Sequence, residues 1–278
     1  MSSTLKLFTS TLLLSSTLLA SVESQKVVNF LENNFKRNPS IVSLKLEALD
    51  EIPLKQLKGW NAHVIKLNAT VKAQEGTREV SQKMIWFSNG EAITEELIDL
   101  TTGDSMKEFV TPSFKAEYYK PDHLIYGDAN AKHKVVIFSD PLCPFCRKFV
   151  PGAIEDMRKD PKKFAIYYYH FPLPALHPAA VELTKAAIAA ELKGHKDVVL
   201  KLYQIEIDAK ERDITKILAA FNKAMNTNLK PEDISAPAVN ASYNFGLKVA
   251  DEIMVQGTPT LYFDGQVDRT KKKYLKAD

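Results

Sequence analysis

Apolar and polar residues alternate along the early part of the chain and fall at helical spacing in much of the later part. In residues 40–49, Ile41, Ser43, Lys45 and Glu47 interleave with Val42, Leu44, Leu46 and Ala48, the period-2 signature of a strand. Residues 60–73 alternate in the same way, and residues 79–88 give a third strand. Ahead of them, Val27, Val28, Leu31 and Phe35 lie at the i, i+3/i+4, i+7 spacing of an amphipathic helix over 25–37, stopped by Asn38-Pro39. Asn89-Gly90 marks a tight turn, because both residues tolerate φ > 0. Residues 93–100 continue as a strand or short helix, ending at Thr102-Gly103. Together these predict a small α+β domain with mostly antiparallel strands.

Between 106 and 127 the pattern weakens, with Pro112, Pro121 and no long apolar run. This reads as a semi-rigid linker. A second domain begins near Tyr126. Val135-Val136-Ile137-Phe138 is short, β-branched or aromatic, and reads as a buried strand. Ser139-Asp140-Pro141 ends it, since proline cannot donate to a ladder. Cys143 then falls at a helix N-cap with Pro144 at the first helical position, where its missing N–H costs nothing. That helix should run to about residue 159, with Pro151 as a kink. Residues 164–171 form an aromatic-rich strand, which includes Tyr167, Tyr168 and Tyr169. Leu173-Pro174 and His177-Pro178 break the chain, and a helical tract follows. It comprises a strong helix over 179–192 closed at Gly194, amphipathic segments over 196–207 and 214–225, and at least one helix within 233–254. The sheet resumes at 259–263, and Asp264-Gly265 turns it into Gln266-Val267.

Hydrophobic residues make up 45% of the 278, enough for ordinary cores, and a formal net charge of +3 is too balanced for a nucleic-acid binder. The basic cluster Arg269, Lys271, Lys272, Lys273 and Lys276 reads as a solvated tail. Residues 1–24 resemble a secretory leader: Lys6, a short apolar core from Leu7 to Leu19 broken by Ser and Thr, and small residues at Ala20 and Ser24 where cleavage would fall. An uncleaved anchor is the alternative. The leader predicts an exported, periplasmic protein.

Export changes how the cysteines read. Cys143 and Cys146 are the only two in the chain. In an oxidising compartment spare cysteines become structural bridges, but C-x-x-C closes a very short loop and is a poor staple. The pair therefore fits redox work. The helix N-terminus favours a thiolate at Cys143, and Arg147 and Lys148 add positive charge one turn on. Cys146, inside the helix, is the more buried partner. Phe145 between them has no packing role at a helix N-terminus and is expected to contact substrate and tune the thiols. Zinc needs four ligands, and His170 and His177 stand seven apart, outside the usual spacing. No metal is expected, and no cofactor beyond the cysteine pair itself. His170 reads as a satisfied structural histidine, with a place by the active site as the alternative, and the three tyrosines read as sheet residues.

From Tyr126 onward the chain resembles a thioredoxin-fold disulfide oxidoreductase with a helical insertion. The segment 138–149 (FSDPLCPFCRKF) is similar to the active-site segment of the periplasmic DsbC/DsbG branch, and 88–103 (SNGEAITEELIDLTTG) to that branch's dimerisation-domain signature. The resemblance implies an α+β, cystatin-like dimerisation domain over 25–105, a linker over 106–125, and an α/β thioredoxin-like catalytic domain over 126–278 with its helical insertion at about 173–254. It implies Cys143 as nucleophile, Cys146 as resolving cysteine, and Gly257-Thr258-Pro259 as the facing loop, with Thr258–Pro259 in cis and its backbone open to an extended substrate. Members with a buried acid six residues before the first cysteine use it as a proton relay. That position is Ile137 here, and Asp140, three before Cys143, reads as a cap ahead of a proton carrier. The implied partners are unfolded or misfolded exported proteins, a membrane redox partner and a second copy of the chain paired through 25–105. Isomerase or reductase activity is favoured over dithiol oxidase activity. The rival class is a non-enzymatic chaperone with a static cysteine pair.

Overall fold

The computed structural model describes residues 21–73 and 76–277. They divide into two compact units, residues up to 81 together with 88–93, and residues 82–87 together with 94 onward. Most of the leader expected over 1–24 lies outside the described residues. No helix among the described residues is long and apolar enough to cross a membrane.

The first part of the chain carries helix α1 (Val22–Phe35) and strands β1 (Ile41–Pro53), β2 (Asn61–Lys72), β3 (Thr77–Ser88) and β4 (Ile93–Thr94). The sheet order is β1-β2-β3-β4, with β1 and β2 antiparallel and Leu46 opposite Leu67. Helix α1 buries Val27, Val28 and Leu31, the stripe its periodicity predicts. It begins earlier than residue 25 because Ser21 caps it, accepting from the Ser24 N–H. Ser24 therefore sits inside the helix, buried, where its hydroxyl donates to Glu51 Oε2 at 2.7 Å and lies 2.9 Å from His63 Nδ1. His63 is fully buried, and burial pushes its pKa below 6.5 against the pull of Glu51 and Glu23. The segment 93–100 keeps only the two residues of β4 as strand. Among its other residues, Ile98 makes an isolated bridge to Ser105.

The second unit holds helix α2 (Lys107–Val110), strand β5 (Leu124–Tyr126), strand β6 (His133–Ser139), helix α3 (Pro144–Met157) and strand β7 (Phe164–His170). Then come helices α4 (Ala179–Leu192), α5 (Val198–Leu202), α6 (Ile214–Met225), α7 (Pro231–Ile234) and α8 (Pro237–Glu252), and strands β8 (Thr260–Phe263) and β9 (Gln266–Asp268). The sheet order is β5-β7-β6-β8-β9, with β6 and β7 parallel and the other pairs antiparallel. Asp264 and Gly265 both take positive φ, as the hairpin between β8 and β9 requires. Gly127 has φ +83°, and a Cβ there would collide with the Phe164 carbonyl oxygen, so only glycine fits.

Strand parity explains why the sheet is covered on both faces. Val135 and Ile137 of β6 join Ile166 and Tyr168 of β7 against Val150, Ile154 and Met157 of α3. Val136, Phe138, Tyr167, Tyr169 and Tyr262 point the other way, against Val249 of α8 and Phe114. A sheet buried on both faces reads as a continuous apolar run, which is what 135–138 shows. The insertion has its own core, where Leu183 and Ala187 of α4 meet Phe221 of α6, Leu202 and Val239. Burying a side chain the size of Phe221 is worth about 1.5–3 kcal/mol. The expected architecture is thus present, an antiparallel sheet with one helix followed by an α/β domain carrying a helical insertion. One helical segment differs: the tract over 196–207 is helical only through the five residues of α5. The tract over 233–254 carries the expected helix as α8, which Pro237 starts at a position that needs no N–H donor.

Candidate active site

The site forms where β6 hands over to α3. The chain leaves the sheet at Ser139, turns through Asp140-Pro141-Leu142 and enters the helix with Cys143 at the N-cap and Pro144 at the first position. The turn is held by Asp140, which is completely buried. Its Oδ1 accepts from the Leu142 N–H at 2.7 Å and the Cys143 N–H at 3.2 Å. Its Oδ2 accepts from the Leu173 N–H at 2.7 Å and faces His177 Nδ1 at 3.0 Å. Asp140 therefore caps the turn ahead of α3, not the first-turn amides of the helix itself, and ties that turn to the start of the insertion. A buried carboxylate is tolerable when its lone pairs are filled in this way.

Both cysteines are free thiols. Cys143 is 5% exposed, and its Sγ lies 3.7 Å from the carbonyl oxygen of Thr258. Cys146 has no exposure at all, and burial pushes its thiol up to about 11. The Ser139 hydroxyl, the Thr258 hydroxyl and the Asp140 backbone N–H act in the opposite direction on Cys146. The structure thus brings Cys143, Cys146, Thr258 and Asp140 to one place, and the Thr258–Pro259 bond is cis. Among the described residues, Thr258 Oγ1 is buried with no partner in full hydrogen-bond geometry.

Phe145 is 74% exposed, in line with its lack of a packing role. Arg147 is less of a free charge than its position suggests. Its Nε donates to the Pro141 carbonyl at 2.9 Å, and its Nη2 donates to the Ile205 carbonyl. It pins the active-site turn to the insertion. His170 ends β7, 4.9 Å edge-on to Tyr168 and 3.7 Å from Glu191. Among the described residues no group of three or more His, Cys, Asp and Glu side chains is placed to hold a metal ion.

Two features lay beyond sequence reasoning. His177, weighed only as a zinc ligand, is the partner of Asp140 from 37 residues away. Tyr203, just past α5, reaches the end of β6, where its hydroxyl donates to Ser139 Oγ at 2.6 Å. No spacing rule links such distant residues.

The Thioredoxin family profile matches residues 119–276. Among curated proteins, the chain is 27% identical over 150 residues to Na(+)/H(+) antiporter NhaA 1 of Mycolicibacterium gilvum, a match spanning 53% of this chain and 24% of that protein. It is 26% identical over 146 residues to the protein of the same name from Mycolicibacterium vanbaalenii, spanning 52% and 23%. The match thus spans about a quarter of the length of these curated relatives. Among solved structures, alpha-DsbA2 from Wolbachia pipientis aligns with a TM-score of 0.48 at 18% identity, covering 63% of this chain and 98% of that one. A thioredoxin-like oxidoreductase from Silicibacter pomeroyi gives 0.46 at 20%, covering 58% and 92%. Proteus mirabilis ScsC in a compact conformation gives 0.44 at 19%, covering 54% and 73%.

Proposed function

The chain belongs to the thioredoxin family, matched over more than half its length, and from that premise we propose that it is an exported thiol–disulfide oxidoreductase with Cys143 and Cys146 as its exchange pair. One observation carries the reading: Cys143 stands at the N-terminus of α3 with its Sγ 3.7 Å from the Thr258 carbonyl, and Cys146 is sealed behind it. The free amides of a helix N-terminus favour a thiolate. Cys143 is therefore the nucleophile and Cys146 the resolving thiol. Thr258 and Pro259 present the backbone that an extended substrate pairs with, Phe145 touches substrate, and Pro144 and Asp140 set the helix start.

Exchange runs through a mixed disulfide. When the protein reduces or isomerises, the Cys143 thiolate attacks a substrate disulfide, forming a Cys143–substrate bond while the other substrate sulfur leaves as thiolate. The substrate thiolate then re-forms a different bond and releases Cys143, or Cys146 attacks Cys143 and frees the substrate reduced. In the oxidising direction a substrate thiolate attacks Cys143 of the Cys143–Cys146 bond and Cys146 leaves. A second substrate thiolate then takes the substrate sulfur, so the substrate ends oxidised and the pair reduced.

Isomerase or reductase work of the DsbC/DsbG kind is favoured by the separate N-terminal sheet domain, with 25–105 pairing two copies, 106–125 as the linker and 126–278 as the catalytic domain. Misfolded exported proteins would be the substrates, with a membrane redox partner resetting the pair. The oxidase reading rests on the helix end at Cys143, because a more stable thiolate makes the disulfide more oxidising. Replacing Cys143 with serine tests the main proposal, which fails if thiol–disulfide exchange survives. Acid trapping of the resting state in the periplasm separates the directions: an isomerase rests reduced and an oxidase rests bonded. Light scattering tests the dimer, and a full-length chain that is already monomeric, and stays monomeric on deleting 25–115, removes it.

A further inference from the structure

The basic residues near the end of the chain read from sequence as a solvated tail, but the structure folds their first members against the active-site loop. Strands β8 and β9 pair with Leu261 opposite Asp268, so the chain leaves β9 level with Thr260, next to the cis Thr258–Pro259 bond. Asp268 then holds the turn that follows. It is buried, and its carboxylate accepts from the Thr270 hydroxyl at 2.6 Å and from the N–H groups of Lys271 and Lys273, each at 2.9 Å. Lys271 takes φ +58°, a left-handed conformation that a lysine keeps only where its surroundings enforce it. A single helical turn over Lys273–Lys276 follows and buries Tyr274. This turn places Arg269 and Lys271 in the lining of a cavity of about 210 Å³, which Gly257, Pro259 and Thr260 of the loop also line. The lining lies within the second unit.

The carboxylates around this cavity are already committed. Asp268 is filled by its own turn, Glu108 pairs with Lys273 at 2.9 Å, and Glu95 and Glu96 stand 3.9 and 3.7 Å from Lys107, the third cation of the lining. Among the described residues no carboxylate lies within ion-pair distance of Arg269 or Lys271. Arg269 is exposed and Lys271 half-buried, so both are open to a ligand. Thr258 sits between Gly257 and Pro259 of the lining, and its carbonyl stands 3.7 Å from Cys143 Sγ. A strand that pairs with this loop while its cysteine meets Cys143 therefore passes the cavity. An extended chain advances about 3.3 Å per residue, so from Thr258 to Thr260 is about two residues, or 7 Å. The guanidinium fork matches a carboxylate, and lysine adds a point charge beside it.

We propose that Arg269 and Lys271 form a carboxylate subsite beside the cis-Pro loop, so that the preferred substrates are extended segments carrying an aspartate or glutamate two or three residues from the reacting cysteine. This rests on the exchange reading above and names the substrate class of that same site. The two residues act on the substrate strand and leave the sulfur chemistry to Cys143 and Cys146.

The experiment uses the full chain, reduced, in single turnover with symmetric disulfides of three short one-cysteine peptides. They carry glutamate, glutamine or lysine at the second and third positions on both sides of the cysteine. Each turnover forms the Cys143–Cys146 bond and releases two peptide thiols, which are counted after acid quench. Every rate is divided by that of the same peptide with dithiothreitol, which removes intrinsic differences between the peptide disulfides. Glutamate should then exceed glutamine by about fivefold, as two exposed charge pairs give, with lysine slowest, and about 0.5 M salt should shrink the gap. The double variant Arg269→Gln/Lys271→Gln should bring the glutamate-to-glutamine ratio to about one, and Arg269→Glu/Lys271→Glu should invert the order. Each ratio is taken on one protein, so a change in folding or in Cys143 reactivity cancels. Lys272→Gln/Lys276→Gln makes the same change in net charge at exposed positions outside the cavity lining and should keep the parent's ratio. Equal corrected rates in the parent, a preference that survives Arg269→Gln/Lys271→Gln, or one that Lys272→Gln/Lys276→Gln also abolishes would each overturn the proposal and leave the exchange reading standing. A parent that reduces none of the three peptides would sink the exchange reading and the proposal with it.

Discussion

Replacing Asp140 with alanine should unfold the active-site turn more than any other single polar change in it. Four donors converge on this carboxylate: the N–H groups of Leu142, Cys143 and Leu173, and His177 Nδ1. The residue is fully buried, so water does not replace it freely. A buried donor left without a partner costs about 1–3 kcal/mol. Local relaxation will satisfy some of the four, and two orphaned amides alone give about 2–6 kcal/mol. Against a total of about 5–15 kcal/mol that is a large loss, about 10 °C in melting temperature for a unit of this size. Asp140→Asn keeps one oxygen but turns an NH2 toward a donor, and should cost about half as much. His177→Ala isolates one arm, and the double variant should show a coupling of about 1–2 kcal/mol. Urea unfolding of these four variants and the parent, with both cysteines reduced, supplies the numbers. A loss below about 1 kcal/mol in Asp140→Ala would mean that the turn is held by something other than this carboxylate.

Further expectations follow from titration and exposure. The Cys146 thiol is raised from 9.0 to about 11 in the folded protein, so the unfolded chain gives up this proton first. The reduced protein should lose up to about 2–3 kcal/mol as pH climbs from 9 to 11, a component absent from Cys146→Ala in parallel denaturant titrations. His63 is lowered from 6.5, so the unfolded chain binds its proton first as pH falls. Stability of the N-terminal unit is then complete above pH 6.5 and declines below it, and faster hydrogen exchange in α1 at pH 5.5 than at pH 7.5, abolished by His63→Gln, is the signature. Phe145→Ala removes a side chain that is 74% exposed, so unfolding should shift by less than about 0.5 kcal/mol. Exchange with a cysteine-containing peptide should slow at the same time, while exchange with glutathione holds steady, and equal slowing of both would remove Phe145 from substrate contact.

The parts of the fold that came through in the sequence are those coded by short-range signals. Val135 to Phe138, then proline, then Cys143-Pro144 is a strand, a stop and a helix start within ten residues, and the structure follows it. Asp264-Gly265 states its turn in two residues. What did not come through depends on contacts made after folding. Asp140 reads from sequence as a helix cap, yet its second oxygen is filled by Leu173 and His177, which reach it only because the chain crosses back from β7. Ser139, Tyr168 and Tyr203 are each ordinary in their own segments, and only the sheet register and the placement of α5 bring their hydroxyls together. One helix boundary slipped for a local reason too: Ser21 caps α1 ahead of its apolar stripe.

The most direct test of the exchange site is to ask which sulfur a small disulfide captures. Reduced protein is mixed with glutathione disulfide, quenched with acid after short times, and mapped by mass. The arrangement of Cys143 at the mouth and Cys146 behind it predicts glutathione on Cys143 in the Cys146→Ser protein, an internal Cys143–Cys146 bond in the parent, and nothing on Cys143→Ser over the same interval. Capture on Cys146 at a comparable rate, or an adduct on the parent that never resolves into the internal bond, would contradict the account.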